Sequence, residues 1–140
     1  MTVGDLLKAK SSHISAIRPE AKLQEIAIKL TEERVGLVAV VGRALGPLLG
    51  VVSERDVVRA VAAHGPGALD LCVKDVMTEE VFTCTPEQQL DQLLMTMTAR
   101  RVRHLPVVKD GHLLGMISMG DLVVRLMHDV VYARQAKAAL

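Results

Sequence analysis

Hydrophobic and polar positions follow one pattern that occurs twice along the chain. When Pro19 is placed over Pro86, an offset of 67, every apolar position in the stripe that follows the first proline meets an apolar residue. A stripe with this spacing predicts a helix with one buried face. Self-similarity at a fixed offset predicts two copies of one structural unit. The matched stripes are Leu23, Ile26, Ala27 and Leu30 in the first copy and Leu90, Leu93, Leu94 and Met97 in the second.

Each copy is predicted to fold as a strand, a helix, a hairpin of two strands and a second helix, after a short helical lead-in. The fold class is therefore α/β (α+β), with two βαββα repeats related by pseudo-two-fold symmetry. The first repeat and its lead-in are expected at residues 1–66 and the second repeat at 67–130, before a C-terminal tail at 131–140. Strands are predicted at 14–17, 36–41, 48–52, 81–84, 104–108 and 113–118, and helices at 20–34, 54–64, 87–101 and 119–130.

The connection inside each predicted hairpin differs between the copies. The offset drops from 67 to 65 at this point, where the first copy has GRALGP and the second has KDGH. Insertions collect in loops, so the shift supports the alignment. Asp110-Gly111 lies between two apolar runs and predicts a tight turn, because glycine tolerates a positive φ.

Charge and aromatic content exclude several classes of partner. Lys and Arg total 17 against 16 for Asp and Glu, and the net charge of +1 provides no long-range attraction for nucleic acid or an anionic membrane. Phe82 and Tyr132 are the only aromatic residues, which leaves no stacking platform for single-stranded nucleic acid. The N-terminus has charges where a signal peptide needs an apolar core, and no apolar stretch reaches the length of a membrane span. We therefore expect a cytoplasmic protein.

The sequence carries no recognisable set of catalytic or metal-binding residues. Cys72 and Cys84 are twelve residues apart and form neither a CxxC motif nor a metal-ligand spacing. A nucleophile elbow and a Walker loop are also missing. We expect no enzymatic activity, no metal and no required cofactor, with an enzyme that acts on nucleotides kept as a further alternative.

One motif with the chemistry of a ligand site occurs once per copy, at the predicted junction of a strand and a helix. Backbone N–H groups and the helix dipole favour an anion there, and an aspartate in the first helical turn can accept hydrogen bonds from both hydroxyls of a ribose. A serine followed three residues later by an acid is also typical of a helix N-cap, and the two roles are compatible. The motif is Gly-x-x-Ser-x-x-Asp, formed by Gly50, Ser53 and Asp56 and by Gly115, Ser118 and Asp121.

A basic cluster precedes the strand predicted at 104–108. Arg100 and Arg101 lie at the end of a predicted helix, where cations are ordinarily solvated and interact with the helix dipole. Arg103 and His104 begin the strand that leads into the expected cleft. A guanidinium beside an imidazole suits a phosphate group.

Two apolar residues do not fit the stripe of a simple surface helix. Ile28 and Met95 are equivalent at offset 67, and each lies two residues from the main stripe of its helix. A second buried face would explain both residues. We expect a homodimer that forms through the helices carrying them.

The chain resembles a tandem pair of cystathionine-beta-synthase (CBS) domains, called a Bateman module. The resemblance covers residues 3 to about 128 and depends on GVVSERDVVRAV, VKDVMTEEVFTCTPEQQL and RRVRHLPVVKDGHLLGMISMGDLV. It implies two repeats packed through their sheets, with clefts that accept AMP, ADP, ATP, NAD(H) or S-adenosylmethionine. It also implies that two modules pair through their helices.

Roles for individual residues follow from this resemblance by position. Asp121 and Asp56 resemble the ribose-binding carboxylates, and Ser118 and Ser53 the residues beside the phosphate. Thr83 resembles an adenine-side contact. The first copy departs from the pattern, because Gly36, Leu37, Ala39 and Ala16 stand where the second copy has Arg103, His104, Pro106 and Thr83, and Arg55 or Arg59 could substitute for the missing cations.

The resemblance favours a regulatory module that binds an adenosine nucleotide and signals to an unidentified effector protein. No effector domain is recognisable in the 140 residues, so the partner is expected to be a separate protein or subunit. The residues do not distinguish AMP from NAD(H), since both contain an adenosine and a phosphate. A ligand-free structural homodimer, in which Ser and Asp serve only as helix caps, is the alternative.

Overall fold

The repeat pattern of the sequence appears in the fold as two β-hairpins, each flanked by helices. The computed structural model describes residues 1–10, 13–43 and 46–139. In chain order the helices are α1 (Val3–Ala9), α2 (Leu23–Glu33), α3 (Glu54–His64), α4 (Val73–Val76), α5 (Leu90–Arg100) and α6 (Met119–Ala138), with a 3₁₀ helix at Gly65–Asp70. The strands are β1 (Ala16–Ile17), β2 (Leu37–Val41), β3 (Leu48–Ser53), β4 (His104–Lys109) and β5 (His112–Ser118).

The two sheets follow the predicted order of elements but differ in size. In the first, β1 pairs in parallel with β2, which pairs antiparallel with β3, whereas the second contains only β4 and β5. The β4–β5 turn has φ of 52° at Asp110 and 79° at Gly111, which confirms the predicted tight turn. Residues 44 and 45 of the corresponding loop in the first repeat lie outside the described residues.

The strand predicted at 81–84 is wrong, and only one parallel bridge, Cys84 to Val107, forms there. Cys84 N donates to Pro106 O at 3.0 Å, and Val108 N donates to Cys84 O at 2.8 Å. In the first repeat the ladder has a further bond, from Ala39 N to Ser15 O at 3.0 Å. Pro106 stands at the position of Ala39 and has no N–H to donate, so the second ladder is shorter.

The helix boundaries deviate from the prediction in a systematic way. Both α2 and α5 begin three residues later than predicted, because Lys22 and Gln89, which precede them, are extended and form bridges to Cys72 and Thr2. At the other end of the chain, α6 continues beyond the predicted end at 130 through Ala138, so residues 131–138 are helical.

The two lead-in helices are exchanged between the repeats. Val3 N and Gly4 N of α1 donate to Gln88 O and Pro86 O of the second repeat, each at 2.9 Å. Val3 and Leu6 are buried in the core of that repeat. Reciprocally, Val73 of α4 lies in the core of the first repeat. Each repeat is therefore completed by the segment that precedes the other.

The glycine of each Gly-x-x-Ser-x-x-Asp motif lies where an exchanged lead-in crosses a hairpin. A Cβ atom on Gly115 would lie 2.8 Å from Leu7 Cδ2, and one on Gly50 would lie 2.6 Å from Thr78 O. The backbone oxygen beside Gly50 leaves no room for a larger residue. At Gly115 the side chain of Leu7 would have to move to accommodate one.

Apolar side chains from both sheets meet between the repeats. Ala39 and Val41 of β2 pack with Leu113 of β5, and Met116 lies against the same cluster. The hairpins also approach each other through their loops, where Leu48 N donates to Gly111 O at 3.4 Å. This packing brings the beginning of β2 and the end of β5 to a common cavity.

Candidate functional site

Both Ser-x-x-Asp motifs form helix N-caps with a reciprocal capping box. At the start of α6, Asp121 N donates to Ser118 Oγ at 3.1 Å and Ser118 N donates to Asp121 Oδ2 at 2.9 Å. At the start of α3, Asp56 N donates to Ser53 Oγ at 3.2 Å and Ser53 N donates to Asp56 Oδ2 at 2.8 Å. The capping role is thus present in both copies. The capping interaction holds the Asp121 and Asp56 carboxylates at the N-termini of their helices.

Asp121 also pairs with a cation from the exchanged lead-in. Lys10 caps the end of α1, and its Nζ donates to Asp121 Oδ2 at 2.6 Å and to Met116 O at 2.9 Å. Burial raises the pKa of Asp121, but the hydrogen bonds from Lys10 and Ser118 outweigh this effect and the pKa is lowered. The carboxylate is therefore ionised at neutral pH.

Asp121 lines a cavity of about 740 Å³ between the two repeats. Its walls come from the end of α2, the beginning of β2, the end of β5 and the chain that follows α1. Ligand pockets of about 300 to 1,000 Å³ accept small molecules of nucleoside size. The apolar part of the wall is formed by Leu30, Val35, Leu37, Met116 and Ile117.

Three residues of the sequence prediction lie together in this cavity: His104, Ser118 and Asp121. His104 begins β4 and is partly buried. Burial lowers its pKa, as do the nearby Lys10 and Arg103, against the opposing influence of Asp121 and Glu54. A neutral imidazole, able to donate at one nitrogen and accept at the other, is therefore favoured in the cavity.

The other predicted residues of the second copy do not line the cavity among the described residues. Thr83 and Arg103 are exposed, and Arg103 uses its backbone O to accept from Met119 N at 2.7 Å. Pro106 is buried within β4. These three residues therefore lie outside the cavity that Asp121 lines, and their contacts with a ligand stay a prediction. The exchange of lead-ins instead brings Lys10 to Asp121, and His13 and Ser15 also line the cavity.

A hydrogen-bonded cluster that sequence reasoning missed forms another part of the cavity wall. Glu33, at the end of α2, accepts from Ser15 Oγ at 3.1 Å, is hydrogen-bonded to His13 and lies 3.4 Å from Lys29 Nζ. Burial raises the pKa of Glu33, but these contacts from His13, Ser15 and Lys29 prevail and the pKa is lowered. Lys10, Arg34 and Glu54 were also missed as wall residues.

The predicted residues of the first copy lie apart from this cavity. Thr78 Oγ1 lies 3.5 Å from Asp56 Oδ1, and Ser53 and Asp56 are partly buried. Arg55 is exposed. Arg100, expected to be solvated, lies with Cζ 3.8 Å from the centroid of the Phe82 ring. Offset 67 relates Arg100 to Glu33 and Phe82 to Ser15, so the two copies differ strongly in charge at this point.

Three features bear on other classes of function. Among the described residues, no group of three or more His, Cys, Asp and Glu side chains could hold a metal ion. No helix in the described ranges is long and apolar enough to span a membrane. Cys84 is buried, and burial raises the pKa of its thiol to about 12, which keeps it protonated.

The fold is a tandem repeat, and each repeat carries a Ser-x-x-Asp cap at the start of the helix that follows its hairpin. The signature of the CBS domain matches residues 3–63 and 73–128. The chain belongs to the CBS domain family.

Known relatives agree with this assignment. The chain is 32% identical over 135 residues to the CBS domain-containing protein CBSX3, mitochondrial, of Arabidopsis thaliana, covering 91% of this chain and 66% of that protein. The chain thus spans slightly less than two thirds of that relative. The structure of the CBS-domain containing protein ATU1752 from Agrobacterium tumefaciens matches with 39% identity and a TM-score of 0.78, over 87% of this chain and 90% of that chain.

A more distant structure shares the fold. The CBS domain pair of protein MJ0100, solved in complex with 5′-methylthioadenosine and S-adenosyl-L-methionine, is 20% identical and has a TM-score of 0.75. The match covers 92% of this chain and 97% of that chain. The likeness confirms the CBS-pair architecture.

Proposed function

We propose that this CBS domain pair is a regulatory module that binds an adenosine-type ligand in the cavity beside Asp121. The observation that carries the proposal is an ionised carboxylate at a helix N-terminus, facing a cavity of about 740 Å³ with an apolar wall. The MJ0100 pair binds two adenosine compounds within the same fold, which supports this ligand class. AMP, ATP, NAD(H) and S-adenosylmethionine are the candidate ligands.

The cavity offers a partner for each part of such a ligand. The ribose hydroxyls would donate to Asp121, because a carboxylate can accept two such bonds with the geometry of a vicinal diol. The adenine would lie against partly exposed apolar side chains such as Val35 and Leu37. His104 would contact the 5′ substituent from β4.

We also propose that the module acts as a homodimer and signals to an effector protein that the sequence does not identify. Ile28 and Met95 are 49% and 74% exposed in the single chain, as expected for residues that a second copy would cover. Ligand binding would alter affinity for the effector only if the ligand binds two conformations with different affinities. A cytoplasmic location and the absence of catalysis stay predictions.

A structural adaptor is the second candidate, because the capping boxes account for Ser53, Asp56, Ser118 and Asp121 without any ligand. In that case the homodimer alone would be functional. The two candidates differ in whether Asp121 binds anything.

Calorimetric titration of adenosine, AMP, ATP, NADH and S-adenosylmethionine tests the proposal. Asp121→Ala should weaken binding of the best ligand by roughly ten- to a hundredfold, since it removes charge-assisted hydrogen bonds. Asp56→Ala removes an equivalent capping box from α3 and should lower stability similarly while affecting binding at this cavity less. Asp129→Ala, on the exposed part of α6, is the surface control.

Two outcomes would count against the proposal. If no adenosine compound binds the unmodified protein, the adaptor takes its place. If Asp121→Ala and Asp129→Ala bind the ligand equally well, a ligand is bound but Asp121 does not hold it.

A further inference from the structure

The side chain of Lys10 pairs with the Asp121 carboxylate, which is the group that the proposed function assigns to the ribose. Its Nζ is 2.6 Å from Asp121 Oδ2, which also accepts from Ser118 N at 2.9 Å. A ribose diol that hydrogen-bonds to both oxygens of Asp121 must therefore compete with the ammonium group for Oδ2. Lys10 is a partly buried cation, with 33% of its side chain exposed, so it is poorly placed to exchange this partner for water.

The position of Lys10 arises from the exchange of lead-ins. Lys10 directly follows α1, whose Val3 and Leu6 are buried in the core of the second repeat. This anchor keeps the ammonium at the cavity, and the bond from Nζ to Met116 O at 2.9 Å holds it against β5. Offset 70 places Glu80 at the corresponding position in the other copy, so the sequence offers Asp56 no equivalent of Lys10 at that position.

Arg103, the cation expected to contact a phosphate, does not line the cavity, whereas Lys10 and the exposed Arg34 do. When a ribose displaces Lys10 from Asp121, the ammonium needs a new acceptor within reach of its flexible side chain. A phosphate on the ligand supplies one, and neutral adenosine does not. Neutral adenosine therefore leaves a partly buried ammonium with the Met116 carbonyl as an acceptor but with no anionic partner, which is unfavourable.

We propose that Lys10 determines the charge specificity of the cavity, by competing with the ribose for Asp121 and then pairing with an anionic group of the ligand. The proposal rests on the proposed function and deepens it. It assigns phosphorylated adenosine compounds as the preferred class, with neutral adenosine excluded by the cost of an unpaired Lys10.

The ratio of the AMP and adenosine dissociation constants tests this role. In the unmodified protein AMP should bind at least about tenfold more tightly than adenosine, as expected for a charge-assisted hydrogen bond. Lys10→Met removes the competitor and the phosphate partner together. It should strengthen adenosine binding, weaken AMP binding, and bring the ratio close to one.

Two matched variants serve as controls. Lys8→Met removes an exposed cation from the same helix and should leave the ratio unchanged. Lys10→Arg keeps the charge and should retain the preference for AMP. Melting curves of all variants establish that they are folded.

The possible outcomes distinguish a failure of the Lys10 role from a failure of the proposed function. A ratio that stays the same in Lys10→Met, with both compounds bound, overturns the role of Lys10 and leaves the proposed function intact. Weaker binding of both compounds to Lys10→Met also overturns it, because a competitor's removal cannot weaken adenosine binding. If neither compound binds any of the folded proteins, the proposed function itself fails.

Discussion

His104 lines the candidate cavity, and its protonation affects the stability of the protein. Its pKa is lowered from 6.5 in the folded protein, primarily by burial. The unfolded chain therefore takes up a proton at a higher pH than the folded protein does. Above the pKa that His104 has in the unfolded chain, the residue is neutral in both states and the protein keeps its full stability. As the pH falls from that value towards the lower pKa of the folded state, the unfolded chain binds the proton first and stability is lost.

The variant His104→Gln should remove this part of the pH dependence. Relative to the variant, the unmodified protein is expected to lose stability as the pH is lowered from about 7.5 to 5. Denaturant titrations at several pH values measure the difference. His64→Gln, at the exposed end of α3, is the matched control, and identical pH profiles for the two variants would contradict the assignment.

Single residues of the site were predictable only where they belong to a local motif. Ser118 and Asp121 form a pattern that a helix start requires, and His104 begins a strand with a clear apolar signal. Lys10 and Glu33 carry no such local signal. Lys10 reaches the cavity because α1 packs on the second repeat, and Glu33 lines it from the end of α2, so both positions are properties of the three-dimensional fold.

At the scale of secondary-structure elements, the hydrophobic pattern predicted the helices and hairpins but not how each strand is paired. The predicted strand at 81–84 failed because its partner contains Pro106, whose missing N–H is a feature of another segment. The late starts of α2 and α5 likewise depend on bridges from Lys22 and Gln89 to distant residues. Local periodicity contains no information about such partners.

The crossing of α1 over β5 makes a specific prediction for Gly115. Gly115→Ala would place a Cβ about 2.8 Å from Leu7 Cδ2, so the Leu7 side chain, the helix or the strand must shift. We expect a loss of about 1–3 kcal/mol of stability, as for other overpacked positions. Gly120→Ala is the control, since a Cβ there would lie 3.6 Å from Ser118 Oγ and alanine favours a helix.

Thermal or denaturant unfolding measures both variants. A second change, Leu7→Ala, should recover part of the stability lost in Gly115→Ala, because it removes the clashing methyl groups. Two results would contradict a close contact between α1 and β5 at Gly115. One is that Gly115→Ala is as stable as Gly120→Ala. The other is that Leu7→Ala lowers the stability of Gly115→Ala by as much as it lowers that of the unmodified protein.

At the scale of the whole molecule, the chain is expected to bind nucleotides without converting them. Among the described residues that line the cavity, Ser118 Oγ accepts from the backbone of Asp121 in the capping box, and Ser15 Oγ donates to Glu33 at 3.1 Å. ATP or NADH incubated with stoichiometric protein should therefore be recovered intact by chromatography. Product that forms faster than with heat-denatured protein would show that the module has a catalytic activity.

The exposed apolar residues on the helices favour association of the chain with a second copy. Beyond Ile28 and Met95, large apolar side chains on α3 and α6 are exposed, among them Val58, Val124 and Met127 at 67%, 71% and 57%. Apolar groups that are spread over several helices of so small a protein favour association with another copy. A stable dimer would need to cover about 1,200–2,000 Å² of surface.

The double variant Ile28→Glu/Met95→Glu should convert this dimer into monomers. Each glutamate would place a charge in a contact from which water is excluded, and the cost of burying unpaired charges exceeds what a single apolar contact contributes. Light scattering at micromolar concentration measures the mass of the unmodified protein and of the variant. Leu49→Glu, which adds a charge at a 41% exposed position of β3, is the control and should stay dimeric. A monomeric unmodified protein, or a double variant that remains a dimer, would contradict an interface formed by the helices that carry Ile28 and Met95.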